Sequence, residues 1–73
     1  MPLKIISKYY YDDDGGNCYA IKEEVVDWDD LEKVLDEYNL SHKRYDILDG
    51  EKILIGGKTY FEGGYVNVHV EVE

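Results

Sequence analysis

Residues 44–73 read RYDILDGEKILIGGKTYFEGGYVNVHVEVE, and how this stretch turns decides the fold. Asp49-Gly50, Gly56-Gly57 and Gly63-Gly64 recur seven residues apart and frame the five-residue segments RYDIL, EKILI and KTYFE. Such dipeptides supply the positive φ angles that two-residue hairpin turns require. Read as three turns, they predict a four-stranded antiparallel meander over 44–73. Pairing through those turns puts Tyr45, Ile47, Leu54, Thr59, Phe61, Val66, Val68, Val70 and Val72 on one face, the expected core, with Lys52 at its margin. Arg44, Asp46, Ile53, Ile55, Lys58, Tyr60, Glu62, Tyr65, Asn67, His69 and Glu71 take the other, wetter face. The alternation of Val66, Val68, Val70 and Val72 with Asn67, His69, Glu71 and Glu73 is the clearest half-buried strand pattern in the chain.

Upstream of the meander, DWDDLEKVLDEYNL places Trp28, Leu31, Val34, Leu35 and Tyr38 at helical spacing, an apolar stripe made to cover a sheet. Asp27 is a good N-cap, Asp30 three residues on resembles a capping box, and Asn39 can end the helix. Further upstream, residues 3–11 and 17–26 read as a hairpin turning at DDDGGN. The expectation is an α+β fold in the order ββαββββ. It forms a single domain over 1–73, with a hairpin at 3–26, a helix at 27–39 and the meander at 44–73.

The chain has 73 residues and a net charge of −9, and the charge is unevenly spread. Between Asp12 and Glu37 stand eleven acids and two bases, a difference of nine, so this segment carries the whole excess. The remaining residues hold six acids and six bases. Direct nucleic-acid binding is disfavoured, because phosphate contacts need a basic footprint. An anionic membrane is disfavoured for the same reason. No apolar run is long enough to span a bilayer, and MPLKIISKYYY lacks the apolar core of an export signal. With Cys18 as the only cysteine, no internal disulfide forms, which fits a reducing compartment, most simply the cytoplasm.

Few residues suggest site chemistry. DDDGGN has the closely spaced carboxylates of a calcium loop, but its acids are consecutive and flanked by strands rather than helices. Only Asp12 and Asp14 would converge from an extended strand, so an acidic β-turn is the favoured reading. His42, in a polar loop, and His69, on an exposed strand face, have no nearby partner for zinc, and Cys18 reads as a small apolar filler. No nucleophile has an evident base, and no Gly-Gly pair links a strand to a helix as a phosphate loop does. The expectation is a protein that is not an enzyme and uses no cofactor.

Binding of a partner protein is the remaining chemistry. Asp29, Asp30, Glu32, Asp36 and Glu37 surround the outer side of the helix at i, i+3 and i+4 spacings, with Lys33 among them and able to pair with Asp29 or Glu37. Eight tyrosines are more than so small a core can bury with their hydroxyls satisfied. In the first hairpin Tyr9 and Tyr11 share a face and Tyr10 takes the other, leaving aromatic anchors beside Asp12, Asp13 and Asp14. The candidate partner-binding set is therefore Tyr9, Tyr11, Asp12, Asp13, Asp14, Asp29, Asp30, Glu32, Asp36 and Glu37.

In size, charge segregation and one-helix β-rich plan, the chain resembles the small acidic inhibitor proteins of phages and mobile elements, especially anti-CRISPR proteins and other DNA mimics. That resemblance implies a protein that occupies the basic nucleic-acid channel of a defence complex, a CRISPR effector or a nuclease, with carboxylates standing in for phosphates. The neutral meander restricts such mimicry to one side and leaves steric or conformational inhibition open. The alternatives are an immunity protein or antitoxin that neutralises a cationic toxin, a homo-oligomeric assembly protein whose Val66–Glu73 strand pairs with a second copy from a sheet edge, and a small-molecule or metal-binding regulator.

Overall fold

A computed structural model describes residues 2–12 and 16–72. Its elements are β1 (Pro2–Tyr11), β2 (Cys18–Asp27), α1 (Trp28–Asp36), β3 (Ser41–Leu48), β4 (Glu51–Phe61) and β5 (Gly64–Val72). The strands form one antiparallel sheet in the order β2-β1-β5-β4-β3. The α+β class holds. The element order is ββαβββ, with one strand fewer than expected.

The difference lies at Gly56-Gly57, which is not a turn. Both glycines are buried inside the eleven-residue β4. Gly56 pairs with His69 on one side and Arg44 on the other. A Cβ there would stand 2.7 Å from the Val68 carbonyl oxygen and 2.7 Å from an Arg44 guanidinium nitrogen. This position needs glycine for close approach within a sheet rather than for chain reversal. The face assignments survive the error because Tyr45 pairs with Leu54 while Arg44 pairs with Gly56, leaving Ile55 as an extra residue. One inserted residue flips the alternation just as a two-residue turn would, so Leu54 and Thr59 still share a face.

The other two reversals lie close to where the sequence puts them. Asp49 and Gly50 both have positive φ, 51° and 79°, the signature of a type I′ turn. The last reversal falls at Glu62-Gly63, one residue earlier than expected, because Phe61 pairs with Gly64. Gly64 is a buried strand residue at which a Cβ would collide with the Tyr10 carbonyl oxygen.

Helix α1 runs closest to β1 and β2 and lies over the centre of the sheet, where the valines of β5 join the core beneath it. Its nine residues are too few to be stable alone, so the stripe must dock for the helix to exist. Leu31 and Leu35 are buried, and Trp28, Val34 and Tyr38 pack at the margin. Beneath them lie Leu3 and Ile5 of β1, Val26 of β2 and Val66, Val68 and Val70 of β5, with Leu40 closing the end. Full burial of a Leu or Ile contributes about 1.5–3 kcal/mol, so this single layer carries most of the apolar stabilisation. The expected core face is therefore core only in part. Tyr45 and Ile47 are 51% and 60% exposed, and Phe61 and Val72 are exposed too. An open cleft rather than close packing separates α1 from β3 and the start of β4, and Phe61 and Val72 stand at strand ends.

Both helix ends differ in detail from a capped helix. Asp27 holds the extended N-cap backbone but makes no side-chain cap hydrogen bond, so the expected capping box does not form. At the other end the Glu37, Tyr38 and Asn39 amides donate to carbonyls three residues back, and Asn39 takes φ 52°, which ends the helix. The Thr59 hydroxyl donates to the Tyr38 carbonyl and anchors this exit to β4.

Candidate protein-binding surface

The acidic segment folds into two adjacent pieces, α1 and β2. Asp29, Asp30, Glu32, Asp36 and Glu37 are all exposed on the helix. Between α1 and the outer side of β2 runs a trough lined by Glu24, Val25, Val26 and Asp27 from the strand, and by Asp30, Lys33, Val34 and Glu37 from the helix region. A smaller adjoining depression is lined by Lys22, Glu24, Val34, Glu37 and Tyr38. Glu24 and Asp27 thus join the helix acids, although their place in a strand hid them from any helical-spacing argument. Alternation along Ala20–Val26, with Val26 turned toward the core, is the signal that assigns Glu24 to the helix side.

Neutralisation within the chain is slight. Among the described residues the one contact within 4 Å between a basic side chain and a carboxylate is His69 Nε2 to Glu71 Oε1 at 3.6 Å, an ion pair only when the imidazole is protonated, at the end of β5 on the face away from the helix. The expected Lys33 pairs with Asp29 or Glu37 do not form at that distance. Lys33 instead stands in the trough with Asp30 and Glu37.

The tyrosines divide as the alternation predicts. On the helix side Tyr9 is half-buried against the core, and Tyr11 stacks on Tyr19 with ring centroids 4.0 Å apart and planes 13° from parallel. Tyr19, absent from the sequence-derived set, reaches this face because the β1–β2 pairing shifts register between Tyr9 and Tyr10. On the opposite face Tyr10 stacks on Tyr65 at 4.8 Å, Tyr60 leans on Tyr65 at 5.9 Å, and Lys58 Nζ sits 5.3 Å from the Tyr65 centroid. These rings occupy one rung across three strands, Tyr10–Tyr65–Tyr60. Their stacking explains how so many tyrosines are accommodated outside the core.

The candidate residues do not form one continuous patch. Helix α1 begins beside the Pro2 end of β1, where Pro2 pairs with Asp27, and the chain beyond it reaches Ser7, whose hydroxyl donates to the Tyr38 hydroxyl at 3.1 Å. Asp12 lies five residues farther along, roughly 17 Å at strand rise. Its amide donates to the Gly63 carbonyl at 3.0 Å, joining the first turn to the last. Asp29, Asp30, Glu32, Asp36 and Glu37 thus gather with Glu24 and Asp27, while Tyr11, Tyr19 and Asp12 form a second cluster toward the other end of a molecule 40 Å long. Asp13 and Asp14 lie outside the described residues.

Three smaller expectations change. Cys18 is exposed rather than an apolar filler, with its thiol 3.1 Å from the Ala20 carbonyl. His42 is in strand β3, at φ 51°, rather than in a loop, and its ring meets Tyr60 edge-on. Strand β5 is not at a sheet edge: it pairs with β1 on one side and β4 on the other. Among the described residues no three His, Cys, Asp or Glu side chains are grouped as metal ligands, and no helix is long and apolar enough to cross a membrane.

No protein-family model, no curated protein and no solved structure matches this chain.

Proposed function

We propose that this chain is a non-enzymatic binding protein of the acidic-inhibitor kind, whose α1–β2 flank docks on a basic surface of a partner protein. The observation that carries this reading is the array of exposed carboxylates along α1 and β2 with no ion-pair partner among the described residues. Holding like charges close together costs stability, and a small domain has little to spare. A cationic partner removes that cost on binding. Long-range attraction speeds the encounter, and a partner long enough to reach the separate Tyr11–Tyr19 cluster would gain aromatic contacts that slow dissociation. In this reading the partner is the nucleic-acid channel of a host defence complex, as for anti-CRISPR proteins, and the protein works in the host cytoplasm.

The test is affinity capture from the host across a salt series, with the Asp29→Lys, Asp30→Lys, Asp36→Lys triple variant beside the wild type. A specific cationic protein retained at low salt, released by added salt and lost with the triple variant is the expected result. Undiminished capture by a folded triple variant removes the acidic flank from the binding mechanism. The captured protein's identity separates a guide-carrying effector from a cationic toxin, the target in the immunity-protein alternative.

A further inference from the structure

The sheet has two edges, and they are not equivalent. Along β3 the pairing with β4 is irregular between Ser41 and Tyr45, and His42 takes positive φ. Irregularity of this kind twists an edge away from further pairing. Strand β2 differs. Its pairing with β1 is continuous from Pro2↔Asp27 to Tyr9↔Ala20, which makes a regular ladder of eight residues. No strand among the described residues pairs with its other side. Among the described residues, no backbone hydrogen bond outside the regular elements involves Ala20–Asp27. This edge also exposes apolar groups: Ile21 is 61% and Val25 57% exposed, both on the face opposite the helix.

We propose that the open edge of β2 accepts an extended segment of the partner protein as a sixth strand, and that this segment alternates basic with apolar side chains. The proposal rests on the partner-binding function above and gives it a binding mode. Unpaired amides and carbonyls of β2 supply the ladder, and alternation supplies the code. On the helix side every second side chain of the added strand points into the trough, where Glu24, Asp27, Asp30 and Glu37 outnumber Lys22 and Lys33. Lys or Arg fits there. On the opposite side the intervening residues meet Ile21 and Val25, which favour Val, Ile or Leu, on either side of the exposed Glu23, which accepts a residue with a long apolar stem and a polar or basic tip.

A second copy of this chain fits the same edge poorly. In a continuous antiparallel sheet, β2 pairing with its own copy must match residues of one face. Its centre is then a residue opposite itself. Near the middle of β2 that residue is Lys22, Glu23 or Glu24, a like-charge pair. The same arrangement brings two acidic helices alongside each other. The occupant selected by charge is therefore basic and different from this chain.

The experiment titrates the intact protein with a short synthetic peptide alternating Lys and Val, and with an isomer of the same composition carrying its lysines in one block. Binding is followed by amide hydrogen exchange and chemical-shift mapping. The expected result is tighter binding of the alternating peptide, with slowed exchange at alternate amides within Ala20–Asp27. Glu24→Lys should weaken that binding about tenfold, as loss of a hydrogen bond to a charged group does, whereas Glu62→Lys, an equal charge change at the last turn, should not. If both peptides bind alike and perturb α1 without protecting β2 amides, strand addition is overturned while the acidic-flank reading stands. If neither peptide binds although host capture succeeds with the expected salt response, the strand mode again fails alone. If capture fails as well, both readings fall. Protection of β2 amides without peptide, together with a dimer by sedimentation, would assign the edge to self-association and overturn the proposal.

Discussion

At the scale of single residues, the most constrained polar group is Ser7. It is fully buried under the helix in a row otherwise made of Leu3, Ile5 and the β5 valines. Its hydroxyl is tolerated because it donates to the Tyr38 hydroxyl at 3.1 Å, and Tyr38 is only half-buried. The two ends of this bond are unequal. Removing the serine hydroxyl leaves a tyrosine that water can reach, at a cost of about 1 kcal/mol. Removing the tyrosine hydroxyl strands a buried serine, at about 1–3 kcal/mol. Urea denaturation followed by Trp28 fluorescence should find Tyr38→Phe more destabilising than Ser7→Ala. The reverse order would mean that Ser7 finds another acceptor. This pairing was not legible in the sequence, because it depends on β1 lying beneath the helix, and strand order was undetermined until β1 was seen paired with β5.

At the scale of elements, periodicity was a good guide and turn chemistry an incomplete one. The stripe Trp28, Leu31, Val34, Leu35, Tyr38 and the alternating valines of β5 were legible because burial repeats with the geometry of each element. Gly56-Gly57 misled because glycine serves two needs, reversal and close approach, that leave the same letters in the sequence. Only the distances to the Val68 carbonyl and the Arg44 guanidinium tell them apart. Asp27 is a similar case. As an N-cap residue it should contribute about 0.5–2 kcal/mol through a side-chain bond to the first turn, yet no such bond is present. Asp27→Ala should therefore fall near or below the bottom of that range in urea or thermal denaturation, keeping only the attraction of a carboxylate for the helix N-terminus. A loss near the top of the range would show that the cap forms in solution.

For the whole molecule the governing quantity is the uneven charge, and it predicts opposite salt responses for stability and for binding. The acids of α1 and β2 repel one another across a body measuring 40 × 20 × 18 Å. At about 0.01 M ionic strength the screening length is about 30 Å, so most of these carboxylates feel each other. At physiological ionic strength it falls to about 8 Å, and only near neighbours still interact. Unfolding spreads the charges apart, so repulsion destabilises the folded state more than the unfolded one. Sodium chloride added over this range should raise the urea midpoint of the free protein. The same screening weakens attraction to a cationic partner, so capture should fall as the midpoint rises. In the Asp29, Asp30, Asp36 to lysine variant each substitution changes the charge by +2, and −9 plus 6 gives −3. The salt dependence of its stability should shrink accordingly, and its midpoint at low salt should match or exceed that of the wild type. A wild-type midpoint that is flat or falling with salt would mean that the carboxylates impose no strain on the fold. The free protein would then have no electrostatic cost for a cationic partner to relieve.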